Sequence, residues 1–238
     1  MMKNRFIWVA LLLAALVVLL PHSAPLFTYA FPQLERPVYT QEPFAWLLWQ
    51  HVLLVGVSSL FSVVVGSAIG VWVTRPSGGD FKPLLDSVLA MSQAFPPVAV
   101  LALAVPVVGF GELPALLALG LYGLLPVVQG TVNGLQGVPA AQRQAALSLG
   151  LTPRQCLRYI DLPLALPVWL SGVRTSVIIN IGTAAIASTV GAKTLGSPII
   201  IGLSGFNTAY VLQGAMLVAL LAVTVDMAFE KLAQHVAW

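Results

Sequence analysis

Long apolar runs with at most one formal charge dominate the chain, and short polar stretches separate them. The runs cover residues 6–20, 44–73, 87–111, 113–135, 166–190 and 208–229. A membrane-spanning helix needs about 20 mostly apolar residues. The pattern therefore predicts an all-α integral membrane protein with about six transmembrane helices.

The composition supports a membrane protein and argues against several other classes. Hydrophobic residues make up 58% of the chain and charged residues 8%, whereas a soluble domain carries about 25% charged residues. The net charge of +3 does not indicate nucleic-acid binding, because the cations lie at the ends of apolar runs. Cys156 is the single cysteine, so an intrachain disulfide is excluded.

The positions of the cations predict an orientation. Cytoplasmic loops of membrane proteins are enriched in Lys and Arg. With the N-terminus inside, eight cations face the cytoplasm: Lys3, Arg5, Arg75, Lys82, Arg143, Arg154, Arg158 and Lys231. Only Arg36 and Lys193 face outward. We expect an uncleaved signal-anchor helix and outer loop in residues 1–43, a transmembrane domain in 44–232 and a cytoplasmic tail in 233–238.

Proline and glycine positions refine these spans. Pro96, Pro97 and Pro106 interrupt the third run and Pro126 interrupts the fourth. Proline removes a helical hydrogen bond, so these positions predict either simple kinks or backbone that lines a pathway. Residues 193–207 are rich in Gly, Pro and Ser and predict an outer loop or re-entrant turn.

One polar segment interrupts the apolar pattern, and we call residues 140–163 the elbow segment. Its first ten residues are rich in Ala, Gln and Leu, which are good helix formers. Gly150 follows, and glycine is the favoured residue for a left-handed helix C-cap. The pattern predicts a helix that stops sharply at this glycine.

The second half of the elbow segment carries the signals of another helix start. Thr152 is a natural N-cap, Pro153 fits the first helical position, and Gln155 completes a capping box. The residue before Pro163 should avoid helical angles. The elbow segment is therefore predicted to be a helix, a sharp turn and a short helix that ends at 161–163.

The elbow segment resembles the signature of permease subunits of binding-protein-dependent ABC importers. That signature reads Glu-Ala-Ala, three residues, Gly, nine residues and Ile-x-Leu-Pro. The chain keeps this spacing with Gln144-Ala145-Ala146, Gly150 and Ile160-Asp161-Leu162-Pro163, and Gln replaces the leading Glu. The stretches 162–167, 172–175 and 180–184 are similar to the osmoprotectant branch, which carries glycine betaine and choline, and to its enterobacterial importer type.

The resemblance implies a type I importer permease fold whose elbow segment is a cytoplasmic coupling helix. It implies a bacterial inner-membrane assembly with a second permease subunit, cytoplasmic ABC ATPases and a periplasmic solute-binding protein, besides membrane lipid. ATP and Mg would then lie on the ATPase, with no cofactor, metal or catalytic residue in this chain. The implied coupling residues are Gln144, Ala145, Ala146, Gly150, Arg154, Leu157, Ile160 and Pro163.

Polar side chains within the spans are candidates for the translocation path. They are Gln93, Asn180, Thr183, Ser188 and Thr189. Small uncharged polar groups suit the passage of a zwitterion or cation, but they equally suit hydrogen bonds between helices. No carboxylate falls near the middle of a predicted span, which argues against a proton-driven carrier.

Two alternatives remain. The first is an ABC permease for another small solute, such as methionine, a sulfonate or a polyamine, because the elbow segment does not separate substrates. The second is a rhomboid-like intramembrane protease, because Gly202-Leu203-Ser204-Gly205 matches its serine signature. A serine nucleophile needs a histidine base within reach, and the predicted orientation places His235 on the opposite side from Ser204.

Overall fold

The computed structural model describes the backbone of residues 2–236 and the side chains of residues 5–236, except those of Ser92 and Gln93. These residues form α-helices without any strand, which confirms the predicted all-α class. The helices are α1 (Met2–Leu19), α2 (Ala24–Ala30), α3 (Phe44–Val73), α4 (Lys82–Ala94), α5 (Pro97–Val108), α6 (Glu112–Gln136), α7 (Ala140–Ser148), α8 (Pro153–Cys156), α9 (Leu162–Ile186), α10 (Ser197–Ser204) and α11 (Thr208–Val236).

Within the described residues, five helical segments are long and apolar enough to cross a membrane. They are Arg5–His22, Phe44–Val73, Glu112–Gln136, Pro153–Val190 and Thr208–Val236. The run 87–111, predicted to be a span interrupted by prolines, is not one of these five long helices. Two shorter helices, α4 and α5, occupy that region, because Pro96 and Pro97 cannot continue the hydrogen-bond ladder of α4. Pro126, in contrast, lies inside an uninterrupted α6.

The chain divides into two compact units. The first comprises the described residues up to Ser58, with Phe95–Leu119 and Ile178–Ala228. In this unit the Gly- and Ser-rich stretch after α9 is not a plain loop. It contains α10, and the backbone amide of Gly111 donates a hydrogen bond to the carbonyl of Val190 at 2.8 Å.

The second unit comprises Ser59–Ala94, Gly120–Val177 and the described residues from Phe229. Its core includes a buried cluster of aliphatic side chains from α3, α4 and α6: Val73, Leu89, Leu125, Val128 and Val132. Hydroxyls join its helices, since Ser62 donates to the Gly120 carbonyl at 2.8 Å and Ser176 donates to that of Gly123 at 2.9 Å.

Glycines let the helices of the second unit approach closely. A Cβ atom on Gly70 of α3 would lie 2.5 Å from the Cβ of Thr131 on α6. A Cβ atom on Gly172 of α9 would lie 2.5 Å from the Pro126 carbonyl oxygen. These separations leave no room for any larger residue at either position.

Candidate functional site: the elbow segment

The first helix of the elbow segment, α7, ends in a Schellman cap. Gly150 has φ +85°, the left-handed conformation that glycine adopts without strain. Its amide donates to the Leu147 carbonyl at 2.9 Å, and the Leu151 amide donates to the Ala146 carbonyl at 3.2 Å. These two bonds are the 5→2 and 6→1 pair of the motif. The predicted sharp stop at Gly150 is confirmed.

The second helix begins with the predicted capping box. The Thr152 amide donates to Oε1 of Gln155 at 2.8 Å, and the Gln155 amide donates to Oγ1 of Thr152 at 3.4 Å. Pro153 is the first residue of α8. Only two residues, Leu151 and Thr152, therefore lie between the cap glycine and the next helix, so the turn between the two helices has little freedom.

The predicted end of this helix at 161–163 is wrong. A π-helical turn covers Leu157–Asp161, Leu162 keeps helical angles (φ −65°, ψ −46°), and the backbone continues into α9. Pro163 thus lies inside a continuous run of helical backbone, two residues after the π-helical turn. Helical backbone extends from Pro153 to Ile186 without a loop.

An ion cluster holds the elbow segment in place within the second unit. Asp161, whose side chain is 3% exposed, accepts from Nε of Arg143 at 2.7 Å and from Nη1 and Nη2 of Arg75 at 3.3 Å. Arg143 also donates to the backbone carbonyl of Leu135. One buried carboxylate therefore joins the residues after α3, helix α7 and the π-helical turn, while α6 is joined through Leu135.

The sequence predictions do not include this cluster. Asp161 enters them only as a helix-end signal, and Arg75 and Arg143 enter them as cytoplasmic cations. Arg75 and Asp161 are 86 residues apart, so no local pattern pairs them. The available signal was the position of an isolated carboxylate in a segment otherwise rich in arginine.

The predicted coupling residues differ in exposure. Ala146 is buried, while Leu157 and Ile160 are half-buried. The exposed ones are Gln144, Ala145, Gly150, Arg154 and Pro163. Leu149, beside the cap, has 82% of its surface exposed. The elbow segment thus presents polar and apolar groups outward on a backbone that caps and ion pairs hold in place.

The residues predicted to line a path lie mainly on and after α9. Asn180 and Thr183 are buried in the first unit. The Ser188 hydroxyl lies 3.0 Å from Oγ1 of Thr194, in a buried hydroxyl cluster that organises the turn before α10. Thr189 is exposed and donates to the Ile186 carbonyl at 2.8 Å. Gln93 belongs to α4, but its side chain lies outside the described residues.

A second polar cluster lies in the first unit. Nζ of Lys193 lies 2.6 Å from Oε1 of Glu42, and the Tyr39 hydroxyl donates to the same carboxylate. Burial raises the pKa of Glu42, but the hydrogen bonds from Lys193 and Tyr39 outweigh it and hold the pKa below its ordinary value. The cluster ties the segment before α3 to the turn after α9.

Comparison with protein families identifies the chain. The family described as the inner membrane component of binding-protein-dependent transport systems matches residues 62–238. The chain belongs to this family. It is therefore a multi-pass permease, and the resemblance read from the elbow segment is confirmed.

Three relatives are named as permease proteins for osmoprotectant import or choline transport. The permease is 39% identical to the osmoprotectant import permease protein OsmY of Salmonella typhimurium over 74% of this chain and 75% of the relative. It is 35% identical to OsmW of the same organism, with coverages of 78% and 88%. It is 34% identical to the choline transport system permease protein OpuBB of Bacillus subtilis, with coverages of 75% and 81%.

Solved structures show the same fold. A chain of the MetNI methionine ABC transporter, in an inward-facing conformation, aligns with a TM-score of 0.72 at 25% identity and covers 84% of this permease and 100% of that chain. An amino acid ABC transporter aligns with a TM-score of 0.62 at 21% identity, covering 79% and 89%. The type I importer permease fold is confirmed, and the protease alternative is set aside.

Proposed function

We propose that this permease forms, with a second permease subunit, the membrane path of an ATP-driven importer for a quaternary-ammonium compatible solute such as glycine betaine or choline. The relatives named for osmoprotectants and choline support the solute class. ATP hydrolysis belongs to a separate cytoplasmic ATPase, and a periplasmic solute-binding protein delivers the solute. Both termini and the elbow segment face the cytoplasm.

The elbow segment is the element on which the ATPase acts. The observation that carries this proposal is the unbroken helical backbone that starts at Pro153, three residues after Gly150 of the capped turn, and continues through the π-helical turn into α9. A displacement of α7 and α8 reaches the spanning helix without a loop to absorb it. The Asp161 ion cluster makes α7 and the start of α9 move together. Asn180 and Thr183 on α9 are the path residues, with Gln93, Ser188 and Thr189 as further candidates.

Two matched cysteine variants test the orientation and the ATPase contact. Cys156 is buried and is the only cysteine, so Cys156→Ala gives a thiol-free background. In it, Ser148→Cys on α7 and Ser204→Cys at the end of α10 are equally conservative changes at exposed positions. A membrane-impermeant maleimide should label Ser204→Cys in intact cells and Ser148→Cys only after permeabilisation. Labelling of Ser148→Cys from outside would refute the orientation.

The same variants test the partner. A short bifunctional cross-linker should join Ser148→Cys to the co-purified ATPase and leave Ser204→Cys unlinked. Uptake of glycine betaine, choline and methionine by proteoliposomes that contain the permease, ATPase and binding protein tests the solute class. Methionine uptake without uptake of either quaternary amine would favour the methionine alternative.

A further inference from the structure

A cavity of about 300 Å³, with charged side chains on its wall, lies beside the Asp161 ion cluster in the second unit. Two guanidinium groups, from Arg75 and Arg143, and the single carboxylate of Asp161 line it, which leaves one net positive charge. Both arginine side chains are partly exposed, at 29% and 34%. The wall of the cavity therefore carries a surplus of positive charge.

An apolar cavity of about 320 Å³ adjoins it. Its lining is Ser67, Val71, Thr131, Leu135, Leu162, Ala165, Leu166 and Trp169. The polar atoms of this set are already bonded: Nε1 of Trp169 donates to the Ser67 hydroxyl at 2.8 Å, and the Thr131 hydroxyl donates to the Val127 carbonyl at 2.7 Å. The cavity thus offers only apolar surface to an occupant.

The two cavities meet at α6, where Leu135 lines both. Ser67 and Val71 of α3 line the apolar cavity, and Thr74 and Arg75, which follow the end of α3, line the charged one. From Ser67 to the end of α3 at Val73 the helix rises about 9 Å, and Arg75 lies two residues further along the chain. We call this pair of cavities, with cations on one and apolar surface in the other, the two-part groove.

We propose that the two-part groove binds an anionic phospholipid, with its phosphate on Arg75 and Arg143 and an acyl chain in the apolar cavity. Guanidinium groups pair well with phosphate oxygens. Basic pockets between membrane helices on the cytoplasmic side suit anionic headgroups. Charge and polarity thus change along the groove in the order in which they change along a phospholipid. The expected effect of the bound lipid on transport rests on the proposed function, whereas the binding of the lipid itself does not.

The bound lipid links the end of α3 to the elbow segment. Arg75 follows α3 and Arg143 belongs to α7, and both already share Asp161. A phosphate on both guanidiniums adds a second bridge between these elements and neutralises the surplus charge. The anionic lipid content of the membrane thereby adjusts how firmly the elbow segment is held.

Native mass spectrometry of the purified complex provides the test, with phosphatidylglycerol and phosphatidylcholine of identical acyl chains as probes. The wild type should retain phosphatidylglycerol in preference. Arg75→Gln should weaken this retention roughly tenfold, the effect of one lost charge-assisted contact. Arg158→Gln is the matched control, because Arg158 is an exposed cation of the elbow segment outside the groove lining. It should retain the lipid like the wild type.

A second variant and a second probe separate the possible occupants. Leu166→Phe fills the apolar cavity without changing charge, and it should also reduce retention if an acyl chain lies there. If Arg75→Gln fails to fold, Leu166→Phe by itself tests the proposal. If inorganic phosphate displaces the lipid while Leu166→Phe retains the lipid like the wild type, the ligand is a free phosphate, and the proposal is overturned. Equal retention of both lipids, as expected if another subunit covers the groove, would overturn it too. Neither result depends on which solute is transported.

Discussion

Gly150 offers the sharpest test of the elbow segment as a rigid coupling element. A Cβ atom there would meet no heavy atom within 4 Å, so substitution causes no clash. The whole penalty comes from the backbone, because φ is +85°. A residue with a Cβ costs about 1–2 kcal/mol in the left-handed region. Asparagine tolerates this region better, whereas β-branched valine tolerates it worse.

This backbone strain should weaken the coupling of ATP hydrolysis to solute uptake. The strain is relieved if the Schellman cap opens, which releases the bonds to Ala146 and Leu147 and loosens the turn. A shift of about 1–2 kcal/mol changes the ratio of rigid to loosened states by roughly 5–30-fold. We expect solute transported per ATP hydrolysed to fall in the order Gly150→Asn, Gly150→Ala, Gly150→Val.

The assay is uptake and ATP hydrolysis by the same proteoliposomes that contain the permease, ATPase and binding protein. Gly182→Ala is the control, because this glycine also has open space around its Cβ position but lies inside α9 without a positive φ. It should keep normal coupling and gain about 0.5–1 kcal/mol of helix stability. Normal coupling by fully folded Gly150→Val would refute the role of the turn.

Three further predictions concern stability, each read from the midpoint of unfolding of purified permease. Asp161→Asn should lower stability by about 2 kcal/mol, since two guanidiniums lose a charged acceptor. The control Asp86→Asn breaks an exposed pair with Lys82 and should cost less than about 0.5 kcal/mol. Equal losses in the two variants would contradict a stabilising role for the ion cluster. Gly172→Ala should lower stability by about 1–3 kcal/mol or more, because its Cβ would lie 2.5 Å from the Pro126 carbonyl oxygen, while Gly56→Ala has open space. Because the pKa of Glu42 is held below its ordinary 4.5, its ionised form stabilises the fold above that pH and this contribution is lost as pH falls through the lowered pKa. The midpoint difference between the wild type and Glu42→Gln should therefore be present at pH 7 and vanish in stronger acid, and a constant difference would contradict the linkage.

Local signals predicted the elbow segment well because caps depend on neighbouring residues. The Schellman cap at Gly150 and the capping box of Thr152 and Gln155 involve residues at most five positions apart. The rule for residues before proline failed at Leu162, because it describes an isolated chain. In the folded unit, Pro163 lies inside a continuous run of helical backbone, two residues after the π-helical turn.

The amino-acid sequence by itself determined that this chain enters a membrane, where most of its long helices lie, and which family it belongs to. These properties follow from the length of apolar runs and from short-range hydrogen bonds. Only the tertiary structure decided that Arg75 and Arg143 share Asp161, and that the two cavities of the two-part groove meet at α6. Such features depend on close helix packing, at Gly70 and Gly172 for example, which joins residues far apart in the chain.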